Sequence, residues 1–385
     1  MAPAPLSSDE ERKRKIVGIN ADTVTNVTST DFPGHYPGED HSWSVSKFAR
    51  NLRIQLHHLE RNELSFSLIG IDASIANAFR RILIAEIPTL AIEYVFVESN
   101  DSVISDEVFA ARLGQIPLAG PKRFLKWLTC TPRPPQGMLG EDTGKLPEDR
   151  EATDQDTVVL NLNIKCEWKE GMKGKDGTPE ELYEHSSIYA SDLVFKPEGR
   201  QALDFKDEME AVGGIKPVHP RILIAKIRPG DEVNMVAHAV KGIGGDHAKF
   251  SPVATASYRL LPTIDIVKPI LGTDARKFAR CFPRGVIGLD TVTKEESEAE
   301  GSGFEGEEGK EKAVVRDTMR DTVSRECLRH PEFKDKVKLG RVQDHFIFSI
   351  ESSGQIPSDE LFIDSVKLLR GKCKNLKGSL ANIMR

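Results

Sequence analysis

The sequence lacks the long apolar runs and the paired cysteines that mark several classes of protein. No apolar run approaches the roughly 20 residues that a membrane helix needs, so we expect no membrane span. The first 20 residues are charged and hold no apolar signal core, which argues against secretion. The odd number and wide spacing of the cysteines predict reduced thiols and no zinc-binding knuckle. The five are Cys130, Cys166, Cys281, Cys327 and Cys373.

The sequence also has no clear catalytic motif. The glycine-rich stretch 242–245 lacks the Lys-Ser/Thr pair of a phosphate-binding loop, which favours an ordinary turn. Asp246 and His247 would suit an orienting carboxylate and a base, but no nucleophile motif accompanies them, and neighbouring residues in a strand face opposite ways. We therefore predict no catalytic residue, no metal ligand and no cofactor. A catalytic site assembled from distant residues stays open as an alternative.

The charge balance argues against direct binding of nucleic acid. The chain carries 59 acidic and 53 basic residues, which gives a net charge of −6. Proteins that bind nucleic acid on their own are usually basic, because Lys and Arg supply most of the affinity for phosphates. We expect contact with nucleic acid only indirectly, through a complex. The basic run 12–15 is either a nuclear import signal or part of a solvated tail.

The length of 385 residues predicts two domains, or one domain with a large insertion. Residues 1–44 hold few large apolar residues and are predicted to be a disordered N-terminal extension. Residues 133–156 are rich in proline, glycine and charge, which predicts an exposed loop within a β-rich middle part. The stretch 290–312, with nine acidic and three basic residues, is predicted to be a disordered acidic loop.

A change of apolar period near Asp72 predicts the first helix. Before it, residues 51–59 and 64–68 alternate between apolar and polar, as in the two strands of a hairpin. After it, apolar residues recur on one helical face, and Asp72 is placed to cap the helix while Pro88 ends it. These apolar residues are Ile75, Phe79, Ile82 and Leu83.

Two arginines, Arg80 and Arg81, lie in this helix off the apolar face. A pair of solvated arginines is common on helices, whereas the guanidinium group also suits hydrogen bonds and ion pairs at interfaces. The pattern alone favours neither interpretation.

The longest predicted helix is at the C-terminus, beginning at Ser358 or Asp359 just after Pro357. Its apolar residues are spaced alternately by four and three, which keeps one seam turned toward a neighbouring helix. They are Phe362, Val366, Leu369, Cys373, Leu376 and Leu380. The seam packs either in the chain's own core or against a second chain.

Four separated segments resemble motifs of the RNA polymerase alpha-like subunits. Residues 71–95, with Asn77, Arg80 and Arg81 ahead of a run of Ile and Leu, resemble the alpha motif of that family. The other three resemble its RLGxIPL segment, its HAKxSPVATA segment and the strand before its last helix. They are residues 112–118, 247–256 and 346–357. The four motifs keep the family's order and span roughly residues 47–380.

The resemblance implies an α+β fold in which an alpha-like dimerisation domain is split by a β-rich insert domain. The two halves of the dimerisation domain would be residues 45–98 and 250–385, and the insert would be residues 99–249. The pattern of strands and helices agrees, since those at both ends of the chain bracket the loop-rich middle.

The resemblance also implies the partners of a non-catalytic scaffold. The chain would form a heterodimer with a small alpha-like subunit and nucleate assembly of the large catalytic and other small subunits of RNA polymerase. Apolar members of the site would be buried against the partner, and the two arginines would contact a neighbouring subunit. The implied partner-binding residues are Ile75, Asn77, Phe79, Arg80, Arg81, Ile82, Leu83, Phe362, Val366, Leu369, Cys373 and Leu376.

Within the family, residues 282–285 and 321–326 resemble the form that RNA polymerases I and III share. The RNA polymerase II and archaeal forms stay alternatives, although the missing cysteine cluster speaks against them. The shared form implies a role in the transcription of rRNA, 5S rRNA and tRNA. It also implies a nuclear location, in the nucleolus and the nucleoplasm.

Overall fold

The computed structural model describes residues 8–29, 32, 34–129, 152–299, 301 and 303–383. The predicted loop 133–156 lies outside the described residues up to residue 151. Two compact units make up the chain, the first from residues 1–58, 65–77 and 257–349 and the second from the remaining residues. None of the described helices is long and apolar enough to cross a membrane.

The first unit contains most of a six-stranded sheet. Its strands, in order, are Val24–Thr25, Ile16–Ile19, Val337–Ser352, Glu63–Ile69 and Arg53–Leu59, and Val253–Ile266 also pairs with Val337–Ser352. Alternation along these strands turns large apolar side chains to one face. On that face the rings of Phe66 and Phe348 are stacked at 5.3 Å, and Tyr258 lies 5.4 Å from Phe348.

A hairpin and several short helices complete the first unit. The hairpin pairs Ile287–Thr291 with Glu311–Val315. The helices are Ser8–Lys15, Val45–Asn51, Gly272–Arg280 and Lys294–Glu298, with 3₁₀ turns at Thr318–Arg320, Glu326–Arg329 and Pro331–Phe333. Their core includes the fully buried rings of Phe278 and Phe333, whose centroids are 5.3 Å apart.

An antiparallel sheet of four strands forms the centre of the second unit. Its strands, in order, are Val194–Lys196, Thr157–Lys165, Glu232–Ile243 and Pro88–Asn100. Three two-stranded pairs accompany it, Leu118–Ala119 with Lys216–Pro217, Ser187–Tyr189 with Leu223–Lys226, and Glu167–Trp168 with Tyr183–Glu184. One large apolar core, which includes Leu90, Phe109, Leu160 and Met235, holds these elements together.

The second unit also contains several helices. They are Asp106–Gly114, Lys122–Trp127, Pro179–Leu182, Arg200–Asp204, Lys206–Val212 and Ser358–Ile383, with 3₁₀ turns at Ala190–Asp192 and Ala248–Phe250. The helix Ala73–Ala85 runs across the division between the units, at residues 77 and 78.

The predicted helices and strands are confirmed with small shifts at their ends. The helix predicted between Asp72 and Pro88 covers Ala73–Ala85, and the C-terminal helix covers Ser358–Ile383. The mixed α and β composition is confirmed as well. The two compact units do not follow the predicted domain boundaries, because Ala78–Ala256 and Ile350–Arg385 share one unit. The division into dimerisation domain and insert domain therefore stays a prediction.

The N-terminal segment is ordered by residues that lie far along the sequence. Strand Ile16–Ile19 pairs with residues 339–342, and Arg14 donates hydrogen bonds of 2.9 and 2.8 Å to both carboxylate oxygens of Glu39. In the basic run, Arg12 forms an ion pair with Asp265. In the residues described, 8–29, 32 and 34–44, this order differs from the disordered extension predicted for residues 1–44. The composition of the N-terminal segment does not indicate this order, because several of the residues that pair with the segment are distant in sequence.

The acidic stretch 290–312 also differs from its prediction in the residues described. Its two ends form the paired strands Ile287–Thr291 and Glu311–Val315. Lys312 forms an ion pair with Glu296, which lowers the pKa of that carboxyl group to about 2. Lys294 and Lys310 form ion pairs with Glu298 and Glu307, which are close to them in sequence. Pairing of basic with acidic side chains thus accompanies the order at this stretch, which its net charge does not indicate.

Candidate partner-binding site

The helix Ala73–Ala85, here called the motif helix, is built as its sequence predicts. The Asp72 carboxylate accepts a hydrogen bond of 2.9 Å from the backbone N–H of Ser74 and so caps the first turn. At the other end, the backbone N–H of Gly245 donates to the carbonyl of Ala85 at 2.8 Å. This contact satisfies one of the carbonyl groups that a helix leaves open at its C-terminus.

The predicted residues of the motif helix fall into two groups. Ile82 and Leu83 are 2% and 0% exposed within the single chain, because they pack into its own core. Their expected direct burial against a partner is therefore corrected to a supporting role. Arg81 is exposed. The remaining predicted residues, which are half-buried, are Ile75, Asn77, Phe79 and Arg80.

The first turns of the C-terminal helix, Ser358–Ile383, pack on the chain itself. Ser358, Leu361 and Ser365 are buried, at a spacing of three and four that places them on one helical face. The half-buried Phe362 lies next to this face, and its ring contacts the ring of Phe79 edge to face at 5.4 Å. The motif helix and the C-terminal helix thus meet within the second unit.

The end of the C-terminal helix has no buried side chain among the described residues. Every residue from 372 to 383, here called the terminal segment, is exposed. Leu376, Leu380 and Ile383 are 66%, 59% and 80% exposed, at the spacing of one helical face. Large apolar side chains grouped on an exposed helical face are typical of a binding surface.

The side chains of the predicted seam become more exposed along the C-terminal helix. Phe362 and Leu369 are half-buried, whereas Val366, Cys373 and Leu376 are exposed. The seam therefore continues from contacts within the chain onto a bare apolar face.

Two exposed apolar residues of the C-terminal helix were missed from the sequence. Ile383 lies three residues after Leu380, so continuing the seam spacing would have found it. Ile363 stands one position beside a predicted apolar residue, and no local signal distinguishes it.

The other resembling segments meet around strand Pro88–Asn100. The side-chain amide of Gln355 donates to the carbonyls of Leu90 and Leu118, at 3.0 and 3.1 Å. The Lys249 ammonium donates to the carbonyl of Ile92 at 2.7 Å and forms an ion pair with Glu93. Long polar side chains here bind backbone carbonyls, so these motifs hold the strand in place.

The two stretches that looked most like chemical motifs are structural as well. A Cβ on Gly244 would lie 2.2 Å from the carbonyl oxygen of Ile84, so only glycine permits this approach to the motif helix. The His247 side chain accepts a hydrogen bond from the backbone N–H of Lys249 at 3.1 Å, which caps the short turn that follows. These contacts support the turn predicted for residues 242–245 and give His247 a structural role.

The exposed apolar face can bind a protein surface of similar character. Lys374 and Lys377 are exposed beside it, while Lys372 forms an ion pair of 2.5 Å with Glu86. Apolar burial provides most of the free energy of such contacts, and the flanking charges favour partners of opposite sign. The geometry therefore supports association with another protein.

Comparison with known proteins identifies relatives along nearly the whole chain. Residues 65–373 match the family model described as the RNA polymerase Rpb3/Rpb11 dimerisation domain. The DNA-directed RNA polymerases I and III subunit RPAC1 of Saccharomyces cerevisiae is 46% identical, over 94% of this chain and 97% of its own length. The human protein of that name is 41% identical, over 98% of both chains. The DNA-directed RNA polymerase II subunit rpb3 of Dictyostelium discoideum is 28% identical, over 89% of this chain and 99% of its own length.

Proposed function

The chain belongs to the RNA polymerase Rpb3/Rpb11 dimerisation-domain family, and we propose that it is the assembly subunit shared by DNA-directed RNA polymerases I and III. The observation that carries this proposal is the identity of 46% and 41% to subunits named for these two polymerases. The subunit named for RNA polymerase II reaches only 28%. The chain is a structural subunit, and catalysis takes place in the large subunits of the enzyme.

In the proposed role the terminal segment and the adjoining seam bind a small alpha-like subunit. Leu376, Leu380 and Ile383 are the most exposed apolar residues of the C-terminal helix. Full burial of a large apolar side chain contributes about 1.5–3 kcal/mol, so these three side chains would supply part of the free energy that offsets the cost of association. Phe79 and Phe362 would hold the base of the C-terminal helix in position through their ring contact.

The heterodimer then serves as the platform on which the large subunits assemble. The exposed Arg81 is suited to contact a neighbouring subunit, because a guanidinium group can donate several hydrogen bonds to carboxylates or carbonyls. The net charge of −6 favours a position away from nucleic acid, which the chain would meet only through the complex. By this route it would support transcription of rRNA, 5S rRNA and tRNA.

A subunit of these two polymerases is nuclear. For its finer location we expect the nucleolus for the RNA polymerase I complex and the nucleoplasm for the RNA polymerase III complex. Fluorescence imaging of the tagged chain beside a nucleolar marker tests this distribution. An exclusively nucleoplasmic signal would contradict it.

The proposed function is tested by purifying the tagged chain from its own cells and identifying the bound proteins by mass spectrometry. We expect one small alpha-like subunit together with the two largest subunits of both RNA polymerase I and RNA polymerase III. Recovery of RNA polymerase II subunits in their place, or of the chain alone, would contradict the proposal.

A further inference from the structure

A groove on the first unit carries a local charge opposite to that of the chain. It has a volume of about 570 Å³ and lies along the end of helix Gly272–Arg280 and the turn after it. Three arginines line it, Arg276, Arg280 and Arg284, together with the exposed side chain of Leu289. None of its lining residues is acidic, although the chain has a net charge of −6. We call this feature the arginine groove.

The helix and the turn after it bring the three arginines to the same groove. Arg276 and Arg280 are four residues apart on the helix, so their side chains lie on the same face. The carbonyl of Pro283 then accepts a hydrogen bond of 3.2 Å from the backbone N–H of Val286, which closes a tight turn. Gly285, at the third position, has a φ of +90°, as a type II turn requires. The turn leaves the exposed Arg284 at the rim of the groove.

The three arginines differ in what they already bind. Arg276 donates a hydrogen bond of 2.5 Å to the carboxylate of Glu311. Arg280 and Arg284 are exposed and form no ion pair within the part of the chain that the structure describes. Two guanidinium groups therefore remain available for a carboxylate that approaches from outside, and each can bind one through two parallel hydrogen bonds.

We propose that the arginine groove binds an acidic segment of another protein, one with a large apolar side chain among its carboxylates. Arg280 and Arg284 would bind two of the carboxylates, while Leu289 and the ring of Pro283 would contact the apolar side chain. Single-stranded nucleic acid fits less well, because sites that bind it usually present exposed aromatic rings on which successive bases stack. The aromatic residue of the groove, Phe282, is only 7% exposed.

This proposal is independent of the heterodimer surface and concerns a second partner. Residues 282–285, which form the turn, belong to the segments that resemble the form shared by RNA polymerases I and III. If the chain has the proposed function, the acidic segment that binds here would belong to another subunit or to an assembly factor of those polymerases.

The test is fluorescence anisotropy with the full chain and labelled peptides of about 12 residues. The first peptide alternates Glu and Asp around two leucines, the second has Gln at the leucine positions, and the third has Lys at the acidic positions. A single-stranded RNA of equal charge is the fourth probe. We expect the first peptide to bind, with affinity that falls as salt rises, the second to bind more weakly, and the third not to bind.

Two variants decide whether the arginine groove is responsible. The double substitution Arg280→Gln/Arg284→Gln should weaken binding of the first peptide by about tenfold, since it removes two ion pairs. The control Arg221→Gln, at an exposed arginine outside the groove, should leave binding unchanged. Circular dichroism of each variant shows whether its fold is kept. If the double variant does not fold, the single variants Arg280→Lys and Arg284→Lys are measured in its place.

Three outcomes would overturn the proposal. The first is no binding of the acidic peptide below about 1 mM, the range of a very weak association. The second is binding that both arginine substitutions leave unchanged. The third is tighter binding of the RNA that is lost with the same substitutions, which would make the arginine groove a nucleic-acid site.

Discussion

The rings of Phe79 and Phe362 lie edge to face, with their centroids 5.4 Å apart. Phe79 belongs to the motif helix and Phe362 to the second turn of the C-terminal helix. Aromatic pairs in this arrangement contribute about 0.5–1.5 kcal/mol beyond the burial of their surface. The contact fixes the base from which the exposed terminal segment extends.

Removing either ring should therefore destabilise the chain itself. We expect Phe79→Ala to lower the free energy of unfolding by about 2–4 kcal/mol, less than for a fully buried ring because Phe79 is half-buried. Urea unfolding of Phe79→Ala, Phe362→Ala and the double variant should show a coupling of about 0.5–1.5 kcal/mol. Strictly additive losses would show that the rings do not interact.

The approach of Gly244 to the motif helix predicts a second effect on stability. A Cβ at this position would lie 2.2 Å from the carbonyl oxygen of Ile84, so the end of the helix must shift. We expect Gly244→Ala to cost about 1–3 kcal/mol in unfolding free energy. Gly371→Ala is the matched control. Nothing lies within 4 Å of its new methyl group, and alanine favours a helix by up to about 1 kcal/mol. A neutral Gly244→Ala would contradict the described packing.

The buried hydroxyl of Ser67 predicts a dependence on pH. The Nε2 atoms of His57 and His345 lie 2.7 and 2.8 Å from its Oγ. Burial lowers the pKa of His345, with His57 adding to the effect and Asp344 opposing it. The unfolded chain then binds the proton more readily, so stability is complete above the unfolded pKa and falls as the pH drops below about 6.5.

Urea unfolding at about pH 7 and about pH 5.5 measures this loss, on either side of the ordinary histidine pKa. His345→Gln should reduce the difference between the two conditions, whereas the exposed His35→Gln should not. An equal pH dependence in the two variants would contradict the assignment to His345.

Two cysteines that differ in exposure should differ in their reactivity toward an alkylating reagent. Cys373 is exposed on the predicted seam, whereas Cys327 is fully buried and its burial raises the pKa of its thiol to about 12. Because the thiolate is the reactive form, iodoacetamide should modify Cys373 and spare Cys327 in the free chain. Peptide mass spectrometry should then show slower modification of Cys373 once the small subunit is bound. Equal modification before and after binding would place Cys373 outside the interface.

Local patterns were sufficient to predict the main helices and strands. The apolar period changes at Asp72, and the motif helix begins there because capping and amphipathicity depend only on neighbours in sequence. The order of Ile16–Ile19 was not predictable in this way. Its partner strand lies more than 300 residues along the chain, and an apolar segment of only four residues does not indicate where it will pair.

The candidate site shows the same limit. The period correctly placed Ile82, Leu83 and Leu376 on apolar faces, but a period does not show what covers a face. The structure separates them, since Ile82 and Leu83 are in the chain's own core and Leu376 is exposed. The carbonyl contacts of Gln355 and Lys249 were equally hidden, because they join segments that are distant in sequence.

We expect the exposed apolar face of the terminal segment to bind the partner. Co-expressing the chain with its small alpha-like subunit and measuring the heterodimer by native mass spectrometry tests this most directly. The decisive variant is Leu376→Asp/Leu380→Asp. Its matched control, Asn375→Asp/Ser379→Asp, adds the same charge at the same spacing on a neighbouring face of the helix.

We predict that Leu376→Asp/Leu380→Asp weakens the heterodimer by about 100-fold or more, since two buried leucines contribute about 3–6 kcal/mol. The control should retain the heterodimer, and both variants should unfold within about 0.5 kcal/mol of the original chain because the residues are exposed. A heterodimer that survives Leu376→Asp/Leu380→Asp as well as it survives the control would contradict the account.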